Sequence, residues 1–346
     1  MSPSIIDLRT DFVSRPTDAM IDAMIQAARS EPVFDIRADP FVQQLEVNAA
    51  RILGKADALF CPTCMMANQI AINVFCRPGE NFVTAADSHI VMTEAGAASA
   101  LSGAVPRQVR AYDGVLQAED IEKAIHPDCI GRTRTALICL ENTHVHSGGR
   151  VTSVPDMKDI RDVAGRASIP IHLDGSLVFN AAASLGVDVT LLTEAADSVA
   201  VSMNKGLGAP LGAMLAGEEQ FIAEASKVRQ MFGGGWRPCS IPAAAANVAL
   251  ETMIDRLGED HRRARRLASA LASSRLLDVD PDQVQTNIVF GSPKKNSVQE
   301  LVNKLQLEGV LVHQTSSSRI RMVTYHNVGD AEIDRTIEVF DYISRK

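Results

Sequence analysis

Short apolar runs alternate along this chain with longer amphipathic windows. That is the rhythm of a parallel sheet whose strands are joined by covering helices, so the expected fold class is α/β. Strand signals fall at 81–84, 136–141, 169–174 and 198–203, and each run ends at or beside a residue capable of chemistry. The placement matters because open parallel sheets bind ligands outside the carboxyl ends of their strands. One helix is expected to open at Asp39 with Pro40 in its first turn, to bury Val42, Leu45, Ala49 and Ile52, and to stop at Gly54. A second spans about 65–75. From Ile241 the window IPAAAANVALETMIDRL reads as one long helix, with another at 260–273. Strand signals at 286–290 and 320–324, with helical patterns at 298–307 and 330–344, read as a smaller α/β domain. No repeat, Gly/Ser linker or low-complexity tract interrupts the chain. The expected division is therefore an N-terminal segment plus large domain at 1–245 and a small domain at 246–346, with the boundary inside a helix.

A chain of 346 residues can bury a sizeable core. Its 34 Lys+Arg against 42 Asp+Glu give a net charge of −8, which offers no broad basic footprint to nucleic acid or to an anionic membrane. No run of about 18 apolar residues is present, and the opening MSPSIIDLRTDF has neither the basic nor the apolar region of an export signal. Together with only six cysteines, this leads to the expectation of a cytoplasmic protein with reduced thiols. Cys61 and Cys64 form a CxxC, but no further ligands stand at metal-binding spacing, so no metal is expected.

The chemistry gathers at strand ends. IPIHLDGSLVFNAA puts Asp174 directly after an apolar run, and SVAVSMNKGLGAP puts Lys205 after another, inside a Gly-rich turn. The 31 residues between them suffice for one strand–helix–strand unit, so both can lie at one sheet edge. Two readings fit: an ion pair, or a site for pyridoxal 5'-phosphate (PLP). In the second, the lysine amine binds the cofactor carbonyl and the carboxylate keeps the ring nitrogen protonated. TAADSHIVMTEAGAASALSGA adds His89, LICLENTHVHSGGRV adds His144, and RQMFGGGWRP adds Arg237 after a glycine triplet. Plainer readings hold elsewhere. His172 reads as a packed strand residue, His146 as loop surface, and the basic helix HRRARRLASAL at 261–271 as a solvated face.

Seven motifs in order resemble the low-specificity threonine aldolase family: DLRTDFVSRPT at 7–17, DPFVQQLE at 39–46, HIVMTEAGAASALSG at 89–103, LENTHVHSGGRV at 140–151, HLDGSLVFNAA at 172–182, NKGLGAPLGAMLAG at 204–217 and RQMFGGGWRP at 229–238. The resemblance implies a PLP-dependent transferase fold of type I, with a mostly parallel seven-stranded sheet in the large domain. It implies that Lys205 holds the cofactor covalently, that Asp174 pairs with the ring nitrogen, that His89 stacks on the ring and that His144 lies near the substrate β-hydroxyl. Thr10 and Arg321 match residues that hold the substrate carboxylate. Arg237 matches one near the cofactor phosphate or a neighbouring subunit. The implied assembly is a homotetramer, a dimer of dimers with shared sites. The implied reaction is retro-aldol cleavage of an L-β-hydroxy-α-amino acid, such as threonine, allo-threonine or a β-aryl serine, to glycine and an aldehyde.

Departures from the family pattern matter as much. Where the family reads D-G-A-R-L, this chain has Asp174-Gly175-Ser176-Leu177-Val178. The arginine lost at Leu177 would supply a charge-assisted hydrogen bond worth roughly 1.5–3 kcal/mol. The phosphate loop P-[ST]-G-T becomes Pro62-Thr63-Cys64-Met65, which leaves the phosphate to the N–H groups at the next helix start. A Tyr-Gly before the DP helix gives way to the region of Phe34 and Ile36. These changes point to a bulkier or more apolar substrate. The alternatives they keep open are a β-eliminating lyase, transaldolase or racemase on the same site, and a non-catalytic PLP-binding paralogue.

Overall fold

The structure, a computed structural model, describes residues 5–295 and 297–345. The chain forms two compact units. One is Pro16–Ile254, and the other joins the N-terminal residues up to Arg15 to the chain from Asp255 onward. The sequence sets its boundary near residue 245, within the helix Ser240–Thr252.

The larger unit is built on seven strands: β1 (Asp57–Cys61), β2 (Asn81–Ala85), β3 (Val105–Val109), β4 (Thr135–Glu141), β5 (Ile171–Asp174), β6 (Ser198–Ser202) and β7 (Ala213–Gly217). Their order in the sheet is β1-β7-β6-β5-β4-β2-β3. All neighbours run parallel except β7, which is antiparallel to both β1 and β6. β2, β6 and β7 are buried along their whole length, and β6 and β7 accordingly read as near-continuous small or apolar runs rather than alternating ones. β3 carries Pro106 and is only partly buried, as an edge strand tolerates.

The expected helix at Asp39 forms as Pro40–Leu53. Asp39 Oδ1 accepts from Phe41 N at 2.9 Å, and Gly54 ends the helix at φ +63°. Leu53 rather than Ile52 completes its buried face. The next helix, Cys64–Phe75, is capped by the Thr63 hydroxyl, which accepts from Met66 N at 3.1 Å.

The long Ala-rich helix is shorter than the periodicity predicts. It ends at Thr252, and a new helix starts at Leu257 rather than at Asp260. Arg256 and Asp260 clasp through two hydrogen bonds of 2.7 and 2.8 Å across the first turn of that second helix, and Leu257 is fully buried there. A separate helix therefore begins where periodicity alone suggests continuation.

The smaller unit has a four-stranded antiparallel sheet in the order His313–Gln314, Ile320–Val323, Ile288–Pro293, Leu277–Asp278. The N-terminal strand Ile6–Asp7 pairs in parallel with Val310–Leu311. Leu267, Leu271, Leu301, Leu305, Met322 and Phe340 fill its core. The basic face at 261–271 meets acid: Arg262 pairs with Asp330 at 3.1 Å and Arg266 with Asp334, on the helix Asp330–Arg345. Among the described residues, no helix is long and apolar enough to cross a membrane.

Candidate active site

Within the larger unit, the chemical residues collect at the carboxyl ends of β4, β5 and β6. Asp174 ends β5 and Glu141 ends β4, and the two are register partners. Lys205 follows β6, the parallel neighbour of β5, so the strand–helix–strand spacing places Asp174 and Lys205 at one sheet edge as expected. Both are buried, Asp174 at 1% and Lys205 at 8% exposure. Ser176 lies between them: its N–H donates to Asp174 Oδ1 at 3.2 Å, and its hydroxyl accepts from Lys205 Nζ at 3.0 Å.

A carboxylate this deeply buried needs donors. Asn68 Nδ2 donates to Asp174 Oδ2 at 2.9 Å and to Glu94 Oε1 at 2.8 Å, while Gln69 Nε2 donates to Glu94 Oε2. Glu94 Oε1 in turn lies 2.9 Å from His89 Nδ1, and Asp174 Oδ2 lies 4.0 Å from the same nitrogen. Burial alone would lower the His89 pKa, but these two carboxylates outweigh it and raise it. The ring is partly exposed.

Glu141 ties the two histidine segments together. It accepts from His89 N at 2.7 Å and from Val145 N at 2.9 Å. Burial first, and then the charge of Asp174, push its pKa up to about 7. His144 is buried, with Nδ1 3.0 Å from Ser147 Oγ and Nε2 3.5 Å from Asp87 Oδ1. Burial lowers its pKa and holds the ring neutral near neutral pH. Nε2 is itself buried without a hydrogen-bond partner among the described residues, and Glu141 Oε2 lies 3.8 Å from it. Gly114, at φ +81°, is packed so closely that a Cβ would sit 2.7 Å from His144 Nδ1.

At the other end of the site, the helix Cys64–Phe75 begins under Asp174, with Cys64 Sγ 4.0 Å from Asp174 Oδ1. Burial and the nearby carboxylate raise the Cys64 thiol pKa well above the ordinary value, so it stays protonated. Met65 is exposed, and the first N–H groups of this capped helix suit an anion. Leu177 is buried just before the helix Val178–Leu185. Arg237 donates to Phe34 O at 2.6 Å and to Gly235 O at 3.2 Å, with its guanidinium 5.2 Å from the Phe34 ring centre.

Thr10 and Arg321 belong to the smaller unit. Thr10 caps the turn Asp11–Val13 by accepting from Phe12 N. Arg321 Nη2 donates to Arg9 O at 3.2 Å, while its buried Nε has no hydrogen-bond partner among the described residues. A buried guanidinium N–H without an acceptor suits an anionic ligand.

Taken together, the larger unit offers a buried amine for a carbonyl, a donor-held carboxylate for a pyridinium nitrogen, an imidazole for a ring face and a helix start for a phosphate. These residues fit PLP. A model of the beta-eliminating lyase family matches residues 7–292. The chain belongs to the β-eliminating lyase family. Within that family it is similar to low-specificity L-threonine aldolase 1 of Arabidopsis thaliana, 39% identical over 97% of this chain and 95% of that protein. The low specificity L-threonine aldolase of Escherichia coli O157:H7 is 34% identical, covering 95% of this chain and 96% of that one. In fold it matches a threonine aldolase structure from Leishmania major with a TM-score of 0.85 at 19% identity, over 98% of this chain and 99% of that one. The family and the type I fold implied by the seven motifs are borne out. Asn68, Gln69, Glu94 and Glu141 are the site residues that motif reading passes over.

Proposed function

We propose that this member of the β-eliminating lyase family is a PLP-dependent aldehyde-lyase that cleaves an L-β-hydroxy-α-amino acid to glycine and an aldehyde. One observation carries the reading: Asp174 and Lys205, joined through Ser176, stand at the ends of adjacent parallel strands, beside a buried neutral His144. When bound, the cofactor supplies the electron sink for the pair released from the Cα–Cβ bond. Asp174 holds a proton at the ring nitrogen, and Lys205 provides the amine that binds the cofactor carbonyl. His89, gripped by Glu94, lies against the ring face. The N–H groups of Cys64 and Met65 hold the phosphate, and Arg237 supports that end or a neighbouring subunit. In the smaller unit, Thr10 and Arg321 offer donors for a carboxylate, supported by an Arg321 Nε that has no hydrogen-bond partner among the described residues. His144 Nε2 accepts the β-hydroxyl proton as the Cα–Cβ bond breaks, the aldehyde leaves, and Cα takes up a proton to give glycine.

Leu177 puts an apolar side chain where the family motif that this chain resembles has arginine, which favours a bulkier or more apolar substrate than threonine. The working form proposed is a cytoplasmic homotetramer. The test is aldehyde release from threonine and from a β-aryl serine, measured beside Lys205→Ala. The reading requires release by the wild type, and loss of both release and cofactor visible absorbance in the variant. A variant that keeps that absorbance would overturn the role of Lys205.

A further inference from the structure

His172 lies on β5 two residues before Asp174 and is fully buried. It is not merely packed. Its Nδ1 lies 2.8 Å from Ser198 Oγ and its Nε2 lies 3.0 Å from Asn68 Oδ1. The Asn68 amide nitrogen faces Glu94 Oε1 and Asp174 Oδ2. A single polarity satisfies every side-chain contact in this series, although the Ser198 backbone also lies within hydrogen-bonding range of the His172 ring. Two carboxylate oxygens only accept, so the NH2 end of Asn68 faces them and Oδ1 is left to accept. His172 Nε2 must then carry the ring proton, and a neutral ring leaves Nδ1 to accept from the Ser198 hydroxyl. Neutrality is enforced by burial, which pulls the His172 pKa down to about 4. Were the amide turned over, its oxygen would face two carboxylates and its NH2 would face an N–H.

We infer that His172 is a positioning residue for the cofactor site: by donating to Asn68 Oδ1 it fixes the amide that aims the Asp174 carboxylate and anchors Glu94 against His89. The inference rests on the reading that Asp174 pairs with the cofactor ring nitrogen. It explains why two polar side chains, Asn68 and His172, are buried where an apolar pair would pack without a desolvation cost.

The test compares wild type, His172→Gln and His172→Leu as holoenzymes. Glutamine can keep both ends of the series, donating to Asn68 and accepting from Ser198, whereas leucine can keep neither. The readouts are the 15N resonance of the ring nitrogen in labelled PLP and the affinity of each apoprotein for PLP. Wild type and His172→Gln are expected to show a protonated nitrogen. In His172→Leu the resonance moves toward the unprotonated position and affinity falls about tenfold, equivalent to about 1.4 kcal/mol. Wild-type resonance and affinity in His172→Leu would overturn the inference and leave the Asp174 reading intact. An unprotonated nitrogen in the wild type would instead overturn the Asp174 reading. Should His172→Leu fail to fold, 15N-histidine spectra of the wild type decide the matter, with the resonance assigned by its loss in His172→Gln. A neutral Nε2–H tautomer of His172 across about pH 6–9 supports the series, and an Nδ1–H tautomer or a charged ring overturns it.

Discussion

Glu141 and Asp174 face each other in register at the ends of adjacent parallel strands, with their side chains 5% and 1% exposed. Two carboxyls so placed cannot both ionise freely. Glu141 bears the consequence, with a pKa near 7, and near neutral pH it is partly protonated while accepting the N–H groups of His89 and Val145.

The linkage has a definite sign. A carboxyl whose folded pKa exceeds its unfolded value binds more protons when folded, so stability falls as pH rises from the unfolded value of about 4.3 to about 7. Glu141→Gln removes that penalty and gives up one acceptor. Relative to wild type, the variant gains on the order of 2–3 kcal/mol between pH 5 and pH 8. Denaturant unfolding of both proteins at the two pH values checks this, and a stability difference that does not change with pH would contradict the buried pairing.

His144 must be unprotonated to take the β-hydroxyl proton, and burial lowers its pKa below the ordinary 6.5. The acid limb of kcat/KM should therefore fall below that value in the wild type. His144→Ala should lower kcat by roughly 10²–10⁴ and remove the limb. A pH–rate profile in which the variant keeps the same limb would assign the base elsewhere.

Gly114 lies against His144 with its backbone at φ +81°. Gly114→Ala would strain the backbone and drive a Cβ into the imidazole, so a loss of about 1–3 kcal/mol in stability is expected, together with reduced kcat. Thermal unfolding and steady-state rates give both readouts. An unaffected kcat would mean that the position of His144 is not critical.

Leu177 predicts substrate preference. The wild type should turn over a β-aryl serine with higher kcat/KM than threonine. Leu177→Arg should improve threonine by roughly tenfold or more, the size of a charge-assisted hydrogen bond. Faster turnover of threonine by the wild type would count against the apolar pocket.

The principal pair, Asp174 and Lys205, was legible because a charged residue directly after an apolar strand can hardly be anything but a site or an ion pair. His89 and His144 were legible because each follows an apolar strand within a few residues. Asn68 and Gln69 were not, because a polar pair within CMMANQIAINVF looks like the solvent side of a helix until the partner strands are known. Glu94 was hidden likewise in a turn of small residues. β7 escaped because AMLAG holds no β-branched residue; it is a strand by virtue of its neighbours β1 and β6. Gly212, which leads into it at φ +111°, packs against Phe60 where no side chain would fit.

The central claim is that this site breaks the Cα–Cβ bond rather than removing a β-substituent. The most direct measurement is a product balance by NMR on a β-hydroxy-α-amino acid turned over by the purified holoenzyme. One glycine should appear for each aldehyde, with both lost in Lys205→Ala. A 2-oxo acid with ammonia in their place, or substrate returned as its other enantiomer, would contradict it.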